Sequence, residues 1–172
     1  MGLLQRFADP AIGKHLLRDE GEVIVDEVGH HWVVYTLPAV EVVGAVALLC
    51  AAPFVALGMA WAPMLLALGV TLHALWRALS EHMDRFVVTN MRVFRVQGVL
   101  GQQVATMPLS RILDITVTKP LQGRLLGYGH FVFESAAQEQ GLRDIRYVAR
   151  PDERDLAIQR VVARAGLRPS VN

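Results

Sequence analysis

The sequence has little of what a catalytic or metal-binding protein needs. Its single cysteine, Cys50, excludes an internal disulfide and is expected to be a small buried apolar side chain. No CxxC pair and no His/Cys cluster has the spacing of a zinc site. No serine stands in a GxSxG setting, and the six histidines are scattered along the chain. The chain is therefore predicted to be non-enzymatic, with no metal and no cofactor.

Charge is nearly absent from one long stretch, Val33 to Leu79. Within it, only Glu41, His73 and Arg77 can carry a charge. As one helix this stretch would measure about 70 Å, more than twice the roughly 30 Å hydrocarbon core of a bilayer. The stretch must therefore fold back on itself, and two spans of about 20 residues account for its length.

Helix breakers mark the reversal, because Pro53, Gly58 and Pro63 cluster in "APFVALGMAWAP". We predict transmembrane helices near residues 33–52 and 61–79, with tryptophan and tyrosine rings at their ends in the headgroup zone. The alternative is a hairpin buried in a soluble protein. It is disfavoured, since too little chain remains to cover two helices that are apolar on all sides.

Basic residues predict the orientation. The turn between the spans has no Lys or Arg, whereas both flanks have several: Arg6, Lys14 and Arg18 before the first span, and Arg77, Arg85, Arg92 and Arg95 at or after the second. Both termini are therefore expected in the cytoplasm, in a multi-pass protein of the bacterial inner membrane. The leader has no apolar core of signal-peptide type.

Glu41 is the unusual residue of the predicted hairpin. Reflecting the chain about the turn places it opposite residues 73–75, so His73 is its natural hydrogen-bond partner. A carboxylate in hydrocarbon costs a few kcal/mol unless it is paired or neutralised. A bond that joins the two helices is favoured over a proton relay, because one acid and one histidine do not make a path across a bilayer.

After Arg77 the apolar period changes from helix to strand. "DRFVVTNMRVFRVQG" gives two strand-like runs broken at Thr89-Asn90. Further short strand-like segments follow between turn residues: "QQVATMPL", "ILDITVTK", "HFVFESA" and "LRDIRYVAR". "PDERDLAIQRVVARAG" then places apolar residues at helical spacing behind a proline and acids. Short antiparallel strands closed by one helix predict a small curled sheet or barrel.

Four segments follow "GEVIVDEVGHHWVVY" and the hairpin in this order: "TNMRVFRVQGVLG", "MPLSRILDI", "LQGRLLGYGHFVFESA" and "IRYVARPDE". With this order of segments, the chain resembles bacterial membrane proteins with a pleckstrin-homology (PH) like domain, the YdbS-like group. The resemblance covers roughly residues 20–165. It implies an α+β membrane protein, in which a two-helix transmembrane hairpin precedes a small antiparallel PH-like β-barrel of about seven strands capped by a C-terminal helix. It brings no catalytic motif.

The predicted domains follow from these segments. They are a cytoplasmic or interfacial leader (1–32), the transmembrane hairpin (33–79), a cytoplasmic PH-like domain (80–166) and a tail (167–172). Almost no linker separates the hairpin from the PH-like domain, which favours a fixed placement of the domain.

Arginine dominates the charge of the predicted PH-like domain. Residues 84–150 hold nine Lys or Arg and five acids, whereas the first 31 residues hold three bases and six acids. Candidate contacts to lipid headgroups or to a partner are Arg85, Arg92, Arg95, Arg124, Arg143 and Arg146. Simple attraction to an anionic leaflet is favoured over a dedicated headgroup pocket.

The segment "LQGRLLGYG" has two glycines but lacks the spacing and the long following helix of a phosphate loop. Its three leucines, Leu121, Leu125 and Leu126, are expected to form a helical turn that packs on the domain. Arg124 would anchor this turn to a carboxylate or face the lipid, and the sequence leaves both open.

Two functions fit these features. The first is a membrane-anchored adaptor or assembly subunit that holds another membrane or cytoplasmic protein. The second is a sensor that binds anionic lipid, which the family resemblance links to envelope stress or antimicrobial resistance. Nucleic-acid binding is not expected, since the net charge is only +1 and no exposed aromatics accompany the basic residues.

Overall fold

The computed structural model describes residues 12–135, 142 and 144–164. These residues belong to two compact units. One unit, called the β unit, contains the described residues up to His31 and from His82 onward. The other, called the hairpin unit, is Trp32–Glu81. The predicted tail, 167–172, lies outside the described residues.

Two apolar helices form the hairpin unit. Helix α1 (Thr36–Ala51) follows a short 3-10 turn, and helix α2 (Trp61–Met83) has Pro63 in its first turn, where proline is tolerated. Short 3-10 turns that contain Pro53 and Gly58 connect them. The predicted pair of helices around a breaker-marked reversal is thus confirmed. Both helical segments, Trp32–Phe54 and Trp61–Met83, are long and apolar enough to cross a membrane.

The first sheet of the β unit is an antiparallel meander in the order β1-β2-β3-β4. Strands β2 and β3 meet at Asn90 and Met91, close to the turn that the Thr89-Asn90 break predicts. The strands are β1 (Ile24–Gly29), β2 (Arg85–Thr89), β3 (Arg92–Gln97) and β4 (Gln103–Pro108).

The second sheet is also antiparallel, in the order β5-β6-β7. A six-residue helix, α3, connects β5 to β6, and the predicted C-terminal helix, α4, follows β7. The elements are β5 (Ile112–Thr118), α3 (Leu121–Leu126), β6 (Tyr128–Ser135), β7 (Asp144–Ala149) and α4 (Pro151–Arg164).

The predicted barrel is not closed in the part of the chain that the structure describes. One isolated bridge, between His30 and Val148, joins the two sheets. Next to it, Tyr147 and Arg150 have positive φ angles of 55° and 50°, which interrupt the extended backbone that a longer ladder would need. At the other seam, β4 ends at Pro108, which has no N–H to donate. The fold is therefore two sheets and a helix around a shared core.

Apolar residues of both sheets and of α4 meet in that core. Alternate residues of β2 and β3, among them Phe86, Val88 and Val93, face Phe131 and Phe133 of β6. Helix α4 buries Ile158, Val161 and Val162, the i, i+3, i+4 face that its sequence predicts. The opposite face of β2 and β3 has its own buried cluster: Ile12, Val87, Phe94 and Val96.

The structure divides the chain differently from the predicted domains. Strand β1 comes from the predicted leader and pairs with β2, with Gly29 opposite Arg85. The leader is therefore part of the β unit. Its "VIV" run has the β-branched residues typical of a strand. The run is not predicted as a strand, because Asp26 and Glu27 follow it in an acidic segment. In chain order the hairpin unit stands where two neighbouring antiparallel strands would ordinarily have a turn.

Candidate functional site

The predicted polar pair of the hairpin is brought together in the structure. His73 Nδ1 lies 3.0 Å from Glu41 Oε2, which joins α1 to α2. The Glu41 side chain is 21% exposed and that of His73 is 65% exposed. An open groove of about 400 Å³ lies beside the pair and is lined otherwise by apolar residues and glycine: Leu65, Leu66, Gly69 and Val70. The geometry fits a bond between helices.

Arg92, a predicted headgroup contact, is held inside the β unit. Its Nε and Nη2 donate to the two carboxylate oxygens of Glu22 at 2.8 and 3.0 Å, and Nη2 also donates to the His15 carbonyl at 2.6 Å. The Glu22 side chain is fully buried. The hydrogen bonds from Arg92 outweigh the effect of burial and lower the pKa of Glu22 from 4.5 to about 2. This forked pair connects the leader to β3.

The β2–β3 turn completes this connection. Thr89 Oγ1 donates to Glu22 at 2.8 Å, and Glu22 also accepts from the Leu17 N–H at 2.7 Å. Asn90 accepts from the Val23 N–H at 2.9 Å and donates to the carbonyl of Gly21 at 3.1 Å. The "TNMR" word that contributes to the family resemblance therefore builds a structural joint between the turn and the leader.

Arg95 is also bound internally. Its Nε and Nη2 donate to Asp84 at 2.8 and 2.5 Å, in a bidentate pair. His30 Nε2 lies 3.6 Å from the same carboxylate. Asp84 is the one residue between α2 and β2, so this cluster holds the chain where it re-enters the β unit.

The remaining predicted arginines that the structure describes do not converge on one site. Arg85 donates to the His82 carbonyl at 3.2 Å, and Arg146 pairs with Asp144 at 2.8 Å on the surface. Arg143 lies outside the described residues. Arg124 is exposed on α3. The described members of the set are thus dispersed over several strands and one helix, and they form no common headgroup pocket.

Helix α3 overturns the expectation that its leucines pack on the domain. Leu121, Leu125 and Leu126 are 74%, 81% and 45% exposed. The buried residue of this helix is Gly123, whose face rests against Pro120 and the Tyr128 carbonyl. Contact through the backbone of glycine turns the leucines outward, a result that the apolar character of "LQGRLL" could not reveal.

A cluster of histidine and tyrosine rings, which sequence reasoning did not identify, lies at the start of β6. The Tyr128 ring is 5.7 Å from that of His31 and 5.8 Å from that of His130. His130 Nδ1 accepts a hydrogen bond from the Tyr147 N–H at 3.1 Å. Burial lowers the pKa of both His31 and His130, so the neutral rings are favoured here.

The carboxylates that bind the arginines were also missed, because ion pairs such as Arg92–Glu22 join residues that are 70 positions apart. No spacing rule relates such positions. The excess of acid in the leader and of base in the strands was the available signal, and it indicates attraction between the two segments without assigning partners.

Comparisons with known proteins give one family. A family model described as "bacterial PH domain" matches residues 32–165, which includes the hairpin unit and excludes β1. Neither the curated proteins nor the solved structures give a match.

Proposed function

The chain belongs to the bacterial PH domain family, and on this premise we propose that it is a membrane-anchored, non-enzymatic adaptor or assembly subunit. The resemblance inferred from the sequence is confirmed at the level of this family, and the narrower YdbS-like group stays a prediction. The hairpin would cross the inner membrane twice and leave both termini in the cytoplasm, where the β unit would hold a second protein.

The observation that carries this proposal is the apolar hairpin placed between β1 and β2. In the most apolar 18-residue stretch of each helix, only 17% and 11% of the stretch is buried, so most of the helix surface has no protein cover. Two helices of this kind are expected in a bilayer, where lipid covers them. Because Asp84 alone separates α2 from β2, the β unit would be held close to the membrane surface.

The internal ion pairs favour an adaptor over a sensor of leaflet charge. Of the nine basic residues between positions 84 and 150, several pair with acids of the β unit: Arg92, Arg95, Lys119, Arg146 and Arg150. A paired guanidinium gives less net attraction to an anionic surface. Support for the lipid-binding alternative is confined to α3 and its exposed Arg124.

Purification of the full chain from native membranes tests the proposal. We expect the protein in the membrane fraction, resistant to high salt, with a partner at fixed stoichiometry. A flexible Gly/Ser spacer near Ser80 should leave the protein in the membrane and reduce recovery of the partner several-fold, because placement of the β unit is lost. The matched control is the same spacer inserted after Arg164, at the far end of α4.

Two results would contradict the proposal. Recovery of the intact chain from the aqueous fraction would exclude the membrane anchor. Partner recovery that is unchanged by a long spacer near Ser80 would exclude fixed placement. If no partner copurifies and the reconstituted chain instead recruits anionic vesicles in a salt-sensitive way, the sensor is the better description.

A further inference from the structure

Three exposed leucines of the β unit lie together on helix α3. Leu121 and Leu125, one helical turn apart on the same face, are 74% and 81% exposed, and Leu126 beside them is 45% exposed. Leucines grouped in this way on a polar domain mark an interaction surface more often than scattered exposed residues do.

The backbone of α3 packs against the β unit, whereas the leucine side chains of α3 are exposed. A Cβ on Gly123 would clash with the Tyr128 carbonyl oxygen, so the helix backbone rests directly on the start of β6. Gly127 ends the helix in the left-handed conformation, at φ 82°, and its N–H donates to the Gly123 carbonyl at 2.8 Å. The leucines are therefore displayed by a fixed support.

The charge around α3 is positive. Residues 119–128 contain Lys119 and Arg124 and no acid. The two acids in the first turn of α4 are already paired, Asp152 with Lys119 and Glu153 with Arg150. Among the described residues, the Arg124 side chain has neither an ion pair nor a hydrogen bond. Arg124 and Leu121 are three positions apart, so they lie on neighbouring parts of the helix surface.

Contacts within the β unit place α3 at the end where the chain leaves for the hairpin. Tyr128, which follows α3 closely, has its ring 5.7 Å from that of His31, the last residue of the β unit before Trp32. The Arg150 N–H donates to the carbonyl of Gly127 at 3.1 Å, next to the His30–Val148 bridge. We call this edge of the β unit the hairpin end.

A fourth exposed leucine, outside α3, also lies at the hairpin end. Strand β3 pairs Val96 with Arg85, the first residue of β2 after the hairpin, so the β3–β4 turn is at this edge. Leu100 in that turn is 84% exposed. Met91 is also apolar and 40% exposed, but it lies at the opposite end of β2, about 17 Å away along the strand.

We propose that the hairpin end is a lipid-contacting surface, in which Leu121 and Leu125 enter the interfacial zone of the cytoplasmic leaflet and Arg124 binds the phosphates of anionic headgroups. The proposal rests on the proposed function, since the hairpin brings this edge to a bilayer only if it spans one. Apolar side chains beside an unpaired basic group such as Arg124 are what an anionic bilayer surface binds. A second copy is disfavoured, because a two-fold contact through α3 would bring positive charges together.

The test uses the full chain in nanodiscs that contain anionic phosphatidylglycerol. In a Cys50→Ala background, Leu125→Cys carries an environment-sensitive fluorophore, and lipids with a nitroxide on the upper acyl chain serve as quencher. We expect a blue-shifted emission and quenching several-fold above that of the same probe at Met91→Cys. Adding Arg124→Gln should reduce the quenching in anionic nanodiscs and leave it unchanged in phosphatidylcholine nanodiscs.

A probe on the native Cys50, which is exposed on α1, tests the membrane anchor separately from the lipid-contacting surface. If lipid quenches Cys50 and leaves Leu125 as unquenched as Met91, the lipid surface is wrong and the membrane anchor stands. If neither is quenched, the anchor itself fails. A blue shift at Leu125 without lipid quenching would mean that protein, a second copy or a partner, covers α3, which also overturns the proposal. Hydrogen exchange of β6 verifies that each variant is folded.

Discussion

At the scale of single residues, Glu22 joins three segments of the β unit. It accepts hydrogen bonds from Leu17 in the leader, Thr89 at the end of β2 and Arg92 at the start of β3. The carboxylate has no exposed side-chain area, so its charge is balanced almost entirely by these donors. A buried charge of this kind is strongly destabilising when its partner is lost, but stabilising while the set of donors is complete.

We therefore expect Glu22→Gln to lower the free energy of opening of the β2–β3 region by roughly 3 kcal/mol at neutral pH, the value that a shift from 4.5 to about 2 represents. A lowered pKa stabilises the fold above pH 4.5, and this stability is lost as the pH falls from there towards about 2. Hydrogen exchange of the full chain in micelles measures the free energy of opening of the β2–β3 region and its dependence on pH. Glu27→Gln, on an exposed position of β1, is the control, and equal effects of both variants would contradict the role of Glu22.

His130 predicts a second pH dependence, in a milder range. Its folded pKa is lowered from 6.5 by burial, and Nδ1 accepts from the Tyr147 N–H, so protonation opposes the fold. The unfolded chain binds the proton first, and stability falls as the pH drops below 6.5 towards the lowered value. His130→Asn retains an acceptor near the Nδ1 position and should reduce this slope in a pH series of hydrogen exchange. A slope unchanged from the wild-type chain would show that His130 does not titrate in this way.

The sequence predicts a contact between two residues when local geometry alone brings them together. The bond of Glu41 to His73 follows from the sequence, because two helices that reverse at a known turn bring known positions together. The pairs Arg92–Glu22 and Arg95–Asp84 do not follow, since strand register and the place of the leader decide them. Those arginines therefore looked like surface contacts.

At the scale of elements, α3 shows how a glycine can decide what a helix displays. We expect Gly123→Ala to cost about 1–3 kcal/mol, because the new Cβ meets the backbone carbonyl of Tyr128 and not a side chain that can move. Faster hydrogen exchange at the start of β6 would report the loss. Gly101→Ala, where a Cβ meets open space, is the control and should have little effect. A neutral Gly123→Ala would show that α3 is not seated on β6.

Helices and strands differ in how well their sequences predict them. The sequence predicts the start of helix α4 through Pro151 and the acids that follow, and its buried face through the spacing of Ile158, Val161 and Val162. In α3 the same apolar spacing misleads, since six residues are too few to indicate which side is covered. Packing against the rest of the fold decides that side, and the local pattern does not contain it.

At the scale of the whole molecule, the apolar hairpin separates β1 from the strand it pairs with. Family resemblance and composition predict the hairpin, the strands and the final helix, yet they treat the residues before the hairpin as a leader. The family match likewise begins at residue 32, after β1. Pairing across so long an insertion leaves no local trace, and the open seam at Tyr147 depends on backbone angles that sequence patterns do not fix.

The insertion has a consequence for how the β unit can be isolated. His30 Nε2 and Asp84 Oδ2 are 3.6 Å apart and Gly29 pairs with Arg85, so a Gly/Ser linker of roughly 4–8 residues should replace residues 32–81 without strain. We expect this chimera to be soluble and to unfold cooperatively, as followed by circular dichroism. The fragment 84–172 should aggregate, because it exposes the edge of β2, deprives Arg92 of Glu22 and deprives Arg154 of Asp26, the ion pair between α4 and β1. If the fragment folds as stably as the chimera, β1 is dispensable and the β unit begins after the hairpin, as the sequence alone predicted.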